Sequence, residues 1–165
     1  MFRKLLSLDE AQQILKQNFS PKPVGVERVF LSKAYDHVLA EDVVAPIDVP
    51  PFDRSTVDGY AVKAVDTFGA DEDKPVTLKF CGQVAVGESP SVVVGTGMAA
   101  EIATGAPLPN GADAVVMVEY STRRNDNILI HSPVSKGENM MESGSDIRKG
   151  EKILKKHQRL SSREI

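Results

Sequence analysis

The chain of 165 residues has no tryptophan, a single cysteine and only 5% aromatic residues. Each scarcity excludes something. One cysteine, Cys81, rules out an internal disulfide and every cysteine-paired metal motif. It fits a cytosolic setting, where thiols stay reduced. With so few aromatic side chains, base stacking on single-stranded nucleic acid has little to work with. The interior must be built from Val, Ile, Leu and Ala. Net charge is −3, and the two densest basic spots, Arg123-Arg124 and Lys155-Lys156-His157, are too small for a nucleic-acid footprint. No run approaches the ~18 apolar residues of a membrane span. The opening MFRKLLSLDEAQQ is basic at its start but lacks the apolar stretch of a signal peptide. A cytoplasmic protein that binds neither nucleic acid nor membrane is expected.

What is present fits a globular protein. Hydrophobic residues are 41% and charged residues 26%, and the length allows one ordinary domain or two small ones. The 12 glycines and 10 prolines point to many turns and short elements. Ser7-Leu8-Asp9-Glu10 reads as a capping box. Leu8, Ala11, Ile14, Leu15 and Phe19 then recur at helical spacing, and Pro21 and Pro23 end the helix. Val26 to Leu31 reads as a strand. Ser32 is placed to cap a short second helix through about Leu39, and Glu41 to Ala45 reads as extended. Pro46, Pro50 and Pro51 stiffen a connector that marks a domain crossing.

From Asp58 to about Ile130 the pattern is β. Val76, Leu78 and Phe80 alternate with Thr77 and Lys79 as on a half-buried strand. Further strands are expected at 92–94, 99–103, 114–119 and 128–130, with Asn125-Asp126-Asn127 as a hairpin tip. Glycines punctuate this stretch as a small barrel requires. At the C-terminus, Ser161 and Glu164 look like the start of a helix that has no body. The expectation is therefore a fragment of a longer protein.

Three segments have chemical potential. In Pro50-Pro51-Phe52-Asp53-Arg54-Ser55-Thr56-Val57-Asp58-Gly59-Tyr60-Ala61-Val62, a stiff proline lead-in delivers a polar loop to a sharp turn before a strand. Asp58 there either holds a hard cation through oxygen or makes an Asx-turn with its own backbone. In Ile102-Ala103-Thr104-Gly105-Ala106-Pro107-Leu108-Pro109-Asn110-Gly111-Ala112-Asp113, the Thr104 hydroxyl and nearby N–H groups either cradle an oxyanion or form a tight structural turn. Gly144-Ser145-Asp146-Ile147-Arg148-Lys149-Gly150-Glu151 reads locally as a polar hairpin turn with a solvated charge cluster.

In wording, order and spacing, these segments together resemble the MoeA family, which includes the C-terminal domain of gephyrin. PPFDRSTVDGYAV and IATGAPLPNGADAVVMVE are close to that family's most characteristic stretches. The resemblance covers essentially the whole chain, from SLDEAQ to GSDIRKGE. It implies a molybdopterin molybdenumtransferase, which joins molybdate to adenylylated molybdopterin and releases AMP with the help of Mg2+ or a similar cation. It also implies a homodimer of four-domain subunits, whose active cleft pairs the second domain of one subunit with the third and fourth of the other. This chain stops before the third domain. Molybdopterin adenylyltransferase is implied as a further partner.

By that resemblance Asp58 and Thr104 are catalytic residues, while Ser55, Gly105 and Asp146 contact substrate. Asp58 and Asp146 would help to place the cation. Where the family usually has Asn-x-Arg, this chain reads Asn139-Met140-Met141. Anion binding by an arginine at 141 is therefore not carried over. The expected fold is α+β and mainly β. A small α/β arm is built from both chain ends, residues 1–45 and 136–165, and residues 46–135 form an inserted β-barrel-like domain. The alternative role is a non-catalytic dimerisation or scaffold module of the same family.

Overall fold

In the computed structural model, which describes residues 5–22 and 24–165, the chain forms two compact units. One comprises Met1–Asp42 with Lys155–Ile165, and the other Val43–Leu154. Pro23 and the basic start at residues 1–4 lie outside the described residues.

The first unit carries the helix α1, Leu8–Asn18. Both halves of the capping box form: the Glu10 N–H donates to Ser7 Oγ, and the Ser7 N–H donates to Glu10 Oε2. The amphipathic pattern is present, yet no residue of α1 is buried. The strand expected at 26–31 is absent. That segment has no ladder partner among the described residues and forms no sheet. The second helix is reduced to a 3-10 turn, Leu31–Lys33, with Phe30 rather than Ser32 at its cap. Just beyond, residues 36–39 meet residues 157–160. Val38 and Arg159 form a bridge, and the Asp36, Leu39, His157 and Leu160 N–H groups donate across the two segments. Arg159 pairs with Asp36.

The second unit contains ten strands in chain order: β1 (Val43–Val44), β2 (Arg54–Ser55), β3 (Gly59–Val62), β4 (Val76–Val84), β5 (Met98–Ile102), β6 (Ala114–Met117), β7 (Ser121–Arg124), β8 (Asn127–Ile130), β9 (Met140–Met141) and β10 (Lys152–Leu154). Six of them make one mixed sheet in the order β6-β3-β5-β4-β8-β7. The β4–β5 pair is parallel and the rest antiparallel. Edge strands β6 and β7 are joined only by the 3-10 turn Val118–Tyr120. A flat sheet of this size would separate its edges by about 24 Å. The link from Met117 to Ser121 reaches at most about 14 Å. The sheet must therefore curl into a half-barrel, and the chain is mainly β with one α-helix among the described residues.

All four residues of β3 are buried, because its sheet is covered on both faces. Tyr60 and Val62 pack with Leu78, Ala99, Val116, Ile128 and Ile130 on one face. Ala61 packs with Ile102, Ala106 and Val115 on the other. This is the period-2 alternation of a strand, and the interior is almost wholly aliphatic. The 3-10 turn Ala64–Thr67 is pinned from inside. The fully buried Thr67 hydroxyl donates to the Ala64 carbonyl and accepts the Val134 N–H.

Most of the expected strands form, with differences that have local causes. Residues 92–94 give only a bridge, Val93 to Asn110. The strand at 114–119 stops at Met117, where the 3-10 turn begins. Ser161 to Glu164 makes a turn and no helix, although the Ser161 hydroxyl and N–H both donate to Glu164 Oε2.

Candidate functional site

Three loops come together around β2. On one side, the Ser55 N–H donates to the Ala106 carbonyl, the Gly105 N–H to the Ser55 carbonyl and the Leu108 N–H to the Asp53 carbonyl. On the other, β2 pairs antiparallel with β9, with Arg54 opposite Met141 and Ser55 opposite Met140. The Ser143 N–H donates to Asp53 Oδ1 at 2.7 Å. Further along, the Asp146 and Ile147 N–H groups donate to the Val49 carbonyl, and the Gly144 N–H to that of Pro50. The proline-led loop is thus the middle layer of a three-segment seam. All three motif segments meet there, although they are separated by dozens of residues in sequence.

Asp58 joins two of these segments through its side chain. The Thr104 N–H donates to Asp58 Oδ1 at 2.7 Å, and the Thr104 hydroxyl donates to the same oxygen at 2.9 Å. The bond to the Thr104 N–H, then the bond to its hydroxyl, hold the Asp58 carboxyl below the usual aspartate value. Both residues are exposed. Among the described residues no donor reaches Asp58 Oδ2. The partner is 46 positions away, so the carboxylate is not absorbed by an Asx-turn of its own loop.

Gly59 follows because a strand packs where its side chain would be. A Cβ at Gly59 would lie 1.9 Å from the Val116 carbonyl oxygen. Close approach to β6, and not a left-handed turn, explains the glycine. Gly105 is the converse: its φ of 83° is left-handed, while a Cβ there would meet nothing within 4 Å.

The remaining residues singled out in the sequence fall into different settings. Ser55 is 1% exposed. Its hydroxyl donates to the Val57 carbonyl at 2.5 Å and accepts the Val57 N–H, which shapes the loop from within. Asp146 is exposed on its turn, and its carboxylate meets no donor among the described residues. Cys81 donates to the Ala99 carbonyl, and burial pushes its thiol up.

A cavity of about 360 Å³ opens beside Asp58, lined by Gly59, Tyr60, Gln83, Glu101, Ala103 and Val118 among others. Glu101 pairs with Arg123 at 2.8 Å, and that guanidinium lies 3.8 Å above the Phe80 ring. The buried Tyr60 hydroxyl is raised, mainly by desolvation and then by the Glu101 charge. Sequence reading missed Glu101 and Arg123. Arg123 stands out only as part of a small basic spot, and the pairing across the sheet is what joins it to Glu101.

Among the described residues, no three His, Cys, Asp or Glu side chains come together as a metal nest. No helix among them is long and apolar enough to cross a membrane.

Fold and site together define a class: a curled mixed β-sheet whose connecting loops converge to present exposed oxygen donors. The comparisons give the family. The family described as MoeA N-terminal region, domains I and II, matches residues 6–165. A molybdopterin molybdenumtransferase of Synechococcus elongatus is 37% identical over 158 residues, covering 95% of this chain and 39% of that protein. One from Staphylococcus aureus strain MRSA252 is 42% identical over 156 residues, covering 94% and 37%. The crystal structure of a molybdopterin biosynthesis moea protein from Pyrococcus horikosii superposes with a TM-score of 0.85 at 46% identity, covering 98% of this chain and 41% of that one. The chain belongs to the MoeA family and corresponds to its N-terminal region. It spans about two fifths of the length of these relatives.

Proposed function

We propose that this chain is the N-terminal part of a molybdopterin molybdenumtransferase acting in molybdenum cofactor biosynthesis. The whole enzyme would join molybdate to adenylylated molybdopterin and release AMP. The single observation that carries this reading is the clasp between Asp58 and Thr104. It links the two most family-like segments and leaves one carboxylate oxygen free in an exposed seam.

The clasp keeps Asp58 ionised and fixed. A charged group that does not reorganise is what a reaction between anions requires of its surroundings. Gly105 lets the Thr104 turn lie flat against β2. Ser55 and the Asp53 bond to Ser143 hold the seam's shape. Mg2+ fits this donor set only in part. Magnesium sites commonly use one or two protein carboxylates and complete their shell with water and substrate phosphate. Asp58 and Asp146 are the residues that would help to place the ion. When bound, the ion would offset the mutual repulsion of molybdate and the anionic pterin.

The active cleft would be shared within a homodimer in the cytoplasm, with molybdopterin adenylyltransferase delivering the substrate. The test is made in the full-length protein. Asp58→Ala and Thr104→Ala should each lower the rate of cofactor synthesis, the former by about 100-fold or more. Wild-type rates in both variants would remove the reading.

A second reading, a dimerisation or scaffold module, is favoured by one observation. Leu8 and Leu15 of α1 and its C-cap residue Phe19 are 75%, 64% and 64% exposed, an apolar stripe that is uncovered among the described residues. Sedimentation velocity decides: under this reading the chain self-associates and Leu15→Glu returns it to monomer. A wild-type chain that stays monomeric at high concentration removes that reading.

A further inference from the structure

We infer that Arg54 is an oxyanion-holding residue of the seam and contacts either a free tetrahedral oxyanion or a phosphate ester. Arg54 lies on β2, in the middle layer where the three loops meet. Its backbone is bridged to Pro107 on one side and paired with Met141 on the other. The side chain is half-buried, and Nη2 donates to Met141 Sδ at 3.3 Å. A thioether is a weak acceptor and carries no charge.

Among the described residues no carboxylate pairs with Arg54, although acids are close in the chain. Asp53 Oδ1 takes the Ser143 N–H, Asp58 Oδ1 takes both Thr104 donors, and Asp48 Oδ1 takes the Lys149 N–H. Each of these three aspartates has a hydrogen bond to a backbone N–H, and none bonds to Arg54. The result is a permanent, partly desolvated cation at a loop junction, with its charge unneutralised. A guanidinium presents donors in a planar fork that matches two oxygens of a phosphate-like anion. The thioether occupies one edge of the fork without competing for charge.

This inference rests on the proposed function only for which anion is used. The experiment titrates molybdate and AMP, separately, into the full-length protein at low and physiological ionic strength. The proteins are wild type, R54M, R54K and R54M/M141R, each with its thermal midpoint measured. Wild type should bind one anion at least. R54M should weaken that anion tenfold or more, about the loss expected for one charge-assisted contact, with little change in midpoint. R54K should lose less. Because residue 141 lies directly opposite residue 54, the double variant should recover most of the affinity. Loss for molybdate alone assigns a free oxyanion, and loss for AMP alone assigns a phosphate ester. If R54M unfolds early, R54Q takes its place in the comparison.

Unchanged affinity for both anions in R54M or R54Q overturns the inference, as does a wild-type protein that binds neither. D58A separates this from the proposed function. Lost turnover in D58A with unchanged anion affinity in R54M sinks the inference alone. Wild-type turnover in both D58A and T104A with weakened affinity in R54M sinks the proposed function alone.

Discussion

Asp58 Oδ1 takes two hydrogen bonds from Thr104, and both oppose protonation. A carboxyl whose folded value is depressed contributes stability above its ordinary value of 3.8 and loses that contribution as pH falls through the folded value. Asp58 therefore stays charged throughout the neutral range, and any slow acidic limb of activity near pH 6 must come from another group. Thr104→Val removes the hydroxyl bond and keeps the N–H bond, which is the larger cause of the shift. The Asp58 titration followed by carboxyl NMR should move up and remain below 3.8. A midpoint unchanged from wild type would show that the hydroxyl does not matter. Gly59 gives a second outcome at this scale. Gly59→Ala drives a methyl into the Val116 carbonyl at 1.9 Å. Neither β3 nor β6 can retreat without opening the sheet, so a loss of about 4 kcal/mol or more is expected in chemical denaturation.

Among the elements, the 3-10 turn Ala64–Thr67 shows how a polar group can hold a loop from inside. The Thr67 hydroxyl is 0% exposed and is the partner of the Val134 N–H. Thr67→Val keeps shape and strands that N–H, and should cost about 1–3 kcal/mol in urea unfolding. Thr67→Ser keeps the hydroxyl and should cost clearly less. Helix α1 depends on its cap instead of on burial, since none of its residues is buried. Ser7→Ala should lower helicity by far-UV circular dichroism, at a cost of about 1 kcal/mol. The sequence made this helix readable because capping and 3.6-residue spacing are local. It misled at 26–31, where strand-like residues find no ladder partner. It also missed β7, whose Ser121-Thr122-Arg123-Arg124 has no apolar alternation and is a strand only because β8 pairs with it.

For the molecule as a whole, the half-barrel is a consequence of connectivity. A three-residue link between the two edge strands forces the curl, and residues on both faces of the sheet are buried, the second under Ala106, Leu108 and Ala112. Ile128 is fully buried in one of them. Ile128→Ala should cost about 2–5 kcal/mol, read from the denaturation of the unit spanning Val43–Leu154. Burial elsewhere is uneven. The first unit leaves Leu5, Leu8, Val24, Val26 and Phe30 largely exposed, so a comparable truncation in α1, Leu15→Ala, should change stability by well under 1 kcal/mol unless a partner covers that face.

By itself the sequence determined the helix and its cap, the aliphatic makeup of the core, the strands with clean alternation, and the family to which the three loop segments belong. These are properties of neighbouring residues, and local chemistry encodes them. The tertiary structure alone decided which groups reach each of the singled-out residues. It buried Ser55 in its own turn, coupled Asp58 to a threonine 46 positions on, left Asp146 exposed, and set Arg54 against Met141 with no counter-ion among the described residues. A hydroxyl or carboxylate has the same chemistry wherever it stands. Its role is set by which donors reach it, and here those donors come from distant parts of the chain brought together by strand pairing.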